Sequence, residues 1–156
     1  MTHSQTSQTD PSFAWRKSNP GRVLINALQR FEGRVLQIMK ENGYAQTRRS
    51  HINLTRHLDL EGTRITDLAK RATMTNAAMT ELINQCVELG LVERLSDPSD
   101  GRVRIVRFTP MGLAWLDTFG KAIATAQTEM TQELSAEGMG FLFTELAAYG
   151  KTTKTT

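Results

Sequence analysis

Three arginines, Arg94, Arg102 and Arg104, flank the run Asp97-Pro98-Ser99-Asp100-Gly101, which is dense in turn formers. A guanidinium is a permanent cation with a planar fork of donors, suited to phosphate oxygens and to the floor of a narrow minor groove. Asp97, Ser99 and Asp100 are of the type that hold a turn by bonding their own backbone, and Gly101 can take whatever φ the tip requires. Asp100, two residues from Arg102, is expected to orient that guanidinium. A second set of chemically capable residues lies upstream. Between Thr75 and Gly90, advancing about 100° per residue divides the segment into two arcs. Ala78, Leu89, Leu82, Cys86, Met79 and Ile83 share one; Asn76, Thr80, Asn84, Ala77, Glu88, Glu81 and Gln85 share the other. Asparagine pairs with an adenine edge through two hydrogen bonds, and threonine or alanine touches a thymine methyl. Thr75 as cap, with Asn76, Ala77, Thr80 and Asn84, is therefore the candidate base-reading set. This segment has no Lys or Arg, so phosphate contacts must come from elsewhere: Arg48 and Arg49, Lys70 and Arg71, and the hairpin's Arg94, Arg102 and Arg104.

The elements that must position these groups follow from periodicity. Leu91 to Leu95 and Val103 to Phe108 read as two short strands joined by the turn. Thr109 and Pro110 supply an N-cap and a first-turn proline for a long helix to about Glu133. Ser135 caps a last helix through Tyr149. Upstream, apolar residues at helical spacing span Gly21 to Asn42, with Gly43 as the stop. A second helix runs from about Arg48 to Leu60. A short third carries Ile65, Leu68 and Ala69, with Thr63 or Thr66 as its cap, and a fourth runs from Thr75 to Gly90. Helix, turn, helix and an arginine-tipped β-hairpin make a winged helix. The fold class is mainly α with a small β-hairpin wing, and flanking helices at both ends. Residues 1–19, rich in Ser, Thr and Gln, read as a flexible tail, and Lys151 onward as a frayed end.

Composition bounds the rest. With 156 residues the chain suits one domain, 20–150, comprising a winged helix at about 47–112 and flanking helices at about 20–43 and 113–150. The wide apolar faces of the flanking helices need cover, and a second copy of the chain is the expected cover. Net charge is +3, but residues 16–56 hold nine Lys/Arg against two acidic residues. Cys86, the single cysteine, excludes an intramolecular disulfide and fits a reducing cytoplasm. No apolar run approaches the roughly 20 residues that span a bilayer, so no membrane partner is expected. No P-loop, dinucleotide fingerprint, zinc cluster or nucleophile elbow is present. His51 and His57 lie six apart, about 240° around a helix, and share no face for a metal. Neither catalysis, nor a cofactor, nor a metal is expected.

The residues Gly90-Leu91-Val92, Asp97-Pro98, Asp100-Gly101-Arg102, Thr109 and Gly112 resemble the multiple antibiotic resistance regulator (MarR) family of winged-helix transcription factors, over roughly residues 21–149. The resemblance implies an obligate homodimer with interlocking terminal helices, a recognition helix in the major groove and a wing tipped by Arg102 in the minor groove of double-stranded DNA. It also implies a ligand-responsive repressor on an inverted-repeat operator, released by a small aromatic or anionic effector. Tyr44, His51 and Trp115 are the candidate effector pocket on that basis. Two positions depart from the family pattern: Glu81 stands where arginine is frequent, and Cys86 where leucine is usual. Cys86 is expected to be an unreactive core residue. Glu81 and Glu88 favour a competing reading, a winged helix that binds protein or effector without strong DNA affinity.

Overall fold

The computed structural model describes residues 11–151. A 3-10 turn, Pro11–Phe13, and α1, Trp15–Ser18, precede α2, Pro20–Glu41. The expected flexible tail thus holds two helical turns in its second half, while its residues 1–10 lie outside the described residues. Asn19 caps α2 by accepting from the Arg22 N–H at 3.1 Å, and Pro20 occupies the first turn, where no N–H is needed. Next come α3, Arg49–His57, β1, Thr63–Arg64, α4, Ile65–Arg71, and α5, Asn76–Glu88. They are followed by β2, Val92–Ser96, β3, Arg104–Phe108, α6, Pro110–Leu134, and α7, Ala136–Lys151.

Beyond residue 19, sequence periodicity anticipates these elements except around residue 63. Thr63 does not cap a helix. It lies in β1, which pairs antiparallel with β3 (Thr63 opposite Val106), and its hydroxyl accepts from the Asp59 N–H at 2.9 Å. Neither Thr63 nor Thr66 caps α4, whose N-cap is Arg64 with no side-chain bond. The sheet order is β1-β3-β2, with Val92 opposite Phe108 and Ser96 opposite Arg104 across the hairpin. A two-residue strand gives almost no periodic signal, which is why it escapes a reading of the sequence.

The core lies under the sheet and between α2, α3, α4, α5 and α6. Val35, Met39, Leu54, Leu68, Met79, Ile83, Cys86, Val92, Val106 and Trp115 are its largest fully buried members. Trp115 stacks on Phe119 with centroids 4.9 Å apart and donates its indole N–H to Thr47 Oγ1 at 3.0 Å. Two bidentate pairs, Arg30 with Glu133 and Arg34 with Glu129, join α2 to α6 along their length. At the base of the hairpin, the Thr109 N–H donates to Leu91 O at 3.1 Å, and Thr109 Oγ1 accepts from the Gly112 N–H at 2.9 Å. A Cβ on Gly112 would stand 1.9 Å from Leu91 O, so only glycine permits α6 to start this close to the strand. Among the described residues, no helix is long and apolar enough to cross a membrane.

Candidate nucleic-acid interface

Thr75 accepts from the Ala78 N–H at 3.1 Å and so fixes where α5 begins. Met79, Leu82, Ile83 and Cys86 are buried, while Asn76, Ala77, Thr80, Glu81, Asn84 and Glu88 are exposed. The expected division of faces therefore holds, with Ala78 the exception: grouped with the apolar arc, it is exposed. Two outward side chains are already engaged within the protein. Thr80 Oγ1 donates to the Asn76 carbonyl at 2.8 Å, which leaves its lone pairs and methyl facing out. Asn84 Oδ1 accepts from Nη2 of Arg94, a residue of β2.

The hairpin turn is held by carboxylates, largely as its composition suggests. Asp97 Oδ1 accepts from the Ser99 N–H at 2.9 Å and from the Ser99 hydroxyl at 2.7 Å. Its Oδ2 accepts from Arg64 at 2.9 Å, tying the turn to β1. The Ser99 hydroxyl, the Ser99 N–H and the Arg64 guanidinium together hold the Asp97 carboxyl below the usual carboxylate range. Asp100 acts differently from expectation: its Oδ1 accepts from the Arg102 backbone N–H at 3.0 Å, so it shapes the backbone and leaves the guanidinium alone. Gly101 meets the turn without a positive φ; among the described residues the glycines with positive φ are Gly43, Gly62 and Gly90.

The arginines divide by what they touch. Arg104 donates to Ser96 Oγ at 2.7 Å and Arg107 to Glu93 at 2.8 Å, both across the hairpin. Arg102 is exposed, and its guanidinium has no partner among the described residues. Arg48 is exposed at the N-cap of α3. Arg49 turns back toward α2, donating to Gln29 O at 2.9 Å with Nε 3.6 Å from Glu32. Arg71 donates to Asp59 and to His57 O, each at 2.9 Å. Glu32 is buried in α2 and also accepts from Arg56 at 2.7 Å. This cluster, which the sequence reading missed, joins α2 to α3. Its signal in the sequence is faint: Arg49 and Arg56 are seven apart, two turns of one helix face.

Tyr44, His51 and Trp115 do not form an open pocket. Trp115 and His51 are buried and Tyr44 is half-buried against the core. His51 Nδ1 accepts from the Arg48 N–H at 3.1 Å and so satisfies the start of α3. Burial, and then the adjacent Arg48, pushes the His51 imidazole below its ordinary range. Space exists instead between α2, α3 and α6. A cavity of about 420 Å³ there has Phe31, Val35, Ile52, Leu116 and Phe119 on its apolar wall and Glu32 and Arg56 at its edge.

The sequence of the α3-to-wing region matches the model of the MarR family at residues 54–103. A Bacillus subtilis (strain 168) protein, the uncharacterized HTH-type transcriptional regulator YdgJ, is 30% identical over 105 residues, 67% of this chain. The chain belongs to the MarR family. The match spans 63% of the length of YdgJ. Solved MarR structures share the fold. Mutant MarR from E. coli complexed with operator DNA is 21% identical, with a TM-score of 0.71 over 87% of this chain and 97% of that one. The PcaV transcriptional regulator from Streptomyces coelicolor, in complex with its natural ligand, is 20% identical, with a TM-score of 0.64 over 88% and 95%.

Proposed function

We propose that this MarR-family chain is a sequence-specific DNA-binding transcriptional regulator, a ligand-responsive repressor that grips an inverted-repeat operator as a homodimer. The observation that carries the reading is the outward polar face of α5 beside a hairpin whose tip leaves the Arg102 guanidinium unengaged. Asn76, Ala77, Thr80 and Asn84 meet base edges in the major groove, and Arg102 meets the minor groove. Arg48 supplies a phosphate contact. A dimer follows from apolar side chains that the single chain leaves uncovered: Val23, Leu24, Ile25 and Leu28 on α2, with Phe141 and Phe143 on α7. A solved relative bound to operator DNA and another bound to its natural ligand support both parts of the reading. The effector, a small aromatic or anionic molecule, fits the cavity between α2, α3 and α6 better than the group of buried His51 and Trp115 with half-buried Tyr44.

One observation favours the competing reading. The helix α5 carries no cation and exposes Glu81 and Glu88. Selection from random duplex DNA separates the two. A regulator returns an inverted repeat with half-sites about one helical turn apart, with affinity falling steeply as salt rises. No retention of duplex at low salt leaves the interaction module.

A further inference from the structure

The contact between Arg94 and Asn84 assigns a role to an arginine that composition alone would spend on phosphate. Arg94 lies on β2 and is half-buried; Asn84 lies on the exposed face of α5. The guanidinium has donors only, so it can engage nothing of the amide but its oxygen. That fixes which end of the Asn84 amide faces β2 and which end is free, a choice an exposed asparagine otherwise leaves to the partner it meets. The arginines of β3 are spent within the hairpin, Arg104 on Ser96 and Arg107 on Glu93, whereas Arg94 on β2 reaches across to α5.

We propose that Arg94 is a positioning residue for base reading: it holds the Asn84 amide with its nitrogen leading into the groove, toward a base edge that offers a hydrogen-bond acceptor. The inference rests on the DNA-binding reading above. A pre-set amide loses less rotamer freedom on binding and discriminates more sharply than a free one. It also couples the wing to the recognition helix, so that displacing β2 loosens a base contact on α5.

The test is site selection and affinity measurement with full-length Asn84→Ala, Arg94→Met, the double variant and Arg94→Lys. Asn84→Ala identifies the base pair in each half-site that Asn84 reads, where discrimination is expected to fall roughly ten-fold. Arg94→Met should lose discrimination at that same pair to a similar extent, with affinity for random duplex and the salt slope unchanged. The double variant should be no worse than either single one, because the two side chains act as one unit. Arg94→Lys, which keeps a donor, should recover most of the preference. Two results overturn the proposal while leaving DNA binding intact. One is a parallel loss of specific and random affinity in Arg94→Met with the salt slope flattened by about one unit, the mark of a phosphate contact. The other is an additive double variant. If the wild-type protein retains no duplex at all, the reading beneath falls, and this inference with it.

Discussion

At the scale of single residues, the wing separates arginines that build the protein from one that faces outward. Arg104 and Arg107 are committed to Ser96 and Glu93, and Arg64 to Asp97, while the Arg102 guanidinium has no partner among the described residues. Arg102→Ala should therefore leave the melting temperature unchanged. It should weaken binding to operator and random duplex alike and reduce the slope of log affinity against log salt by about one unit. Titrations at several salt concentrations measure both. Cys86 is the opposite case, a group with chemistry but no access. Burial pushes its thiol up to about 11 and leaves almost no thiolate at neutral pH. Native protein should react with a thiol reagent only as fast as it opens. Labelling complete within seconds, without denaturant, would contradict this.

At the scale of elements, the junction of strand and helix near Leu91 leaves no room for a side chain at 112. Gly112→Ala brings a methyl into the Leu91 carbonyl, and backbone on both sides leaves nothing flexible to give way. The variant should lose about 3 kcal/mol of stability, at the upper end for overpacking, and shift its denaturant midpoint accordingly. An unchanged midpoint would show that α6 can slide. Glycine at 112 is readable from the sequence only as a motif position; its reason is a contact with Leu91, 21 residues earlier in the chain. The same distinction runs through the whole fold. The long helices α2, α5 and α6 and the hairpin follow from period, caps and turn residues, all of which are local. The Glu32 cluster, the Arg94 contact and β1 depend on which elements meet, and no local pattern encodes that. The Tyr44, His51 and Trp115 group illustrates the cost: three side chains of suitable chemistry, two of which fold inward to cap a helix and to fill the core.

At the scale of the whole molecule, α2 and α7 leave large apolar side chains exposed in the single chain. Phe141 is 72% exposed and Val23 58% exposed in the single chain. Sedimentation at micromolar concentration should show a particle of twice the 17.5 kDa chain mass, and a glutamate at Phe141 should shift it toward the monomer. The pH response is also a property of the whole, since histidines shielded by the fold, His51 fully and His57 in part, report its unfolding. His51 and His57 both titrate below their ordinary value of 6.5, chiefly through burial. The unfolded chain takes up their protons first. Stability is therefore fully present above about pH 6.5 and lost as pH falls below it, until the folded histidines protonate too. Melting temperatures across that range measure the slope, and His51→Gln should reduce it. A flat profile would mean that the imidazoles are hydrated in the folded protein.

The indole of the stacked ring pair, buried in the core, is also a useful light source. The chain has two tryptophans, Trp15 on the surface at 62% exposure and Trp115 in the interior at 1%. Light emitted by the first is red-shifted by water, and light from the second is blue-shifted by its dry surroundings. Phe119, against which the Trp115 indole lies, is also part of the cavity wall between α2, α3 and α6. Replacing Trp15 with phenylalanine would leave a single interior lamp, and any molecule that enters that cavity would change its colour or dim it.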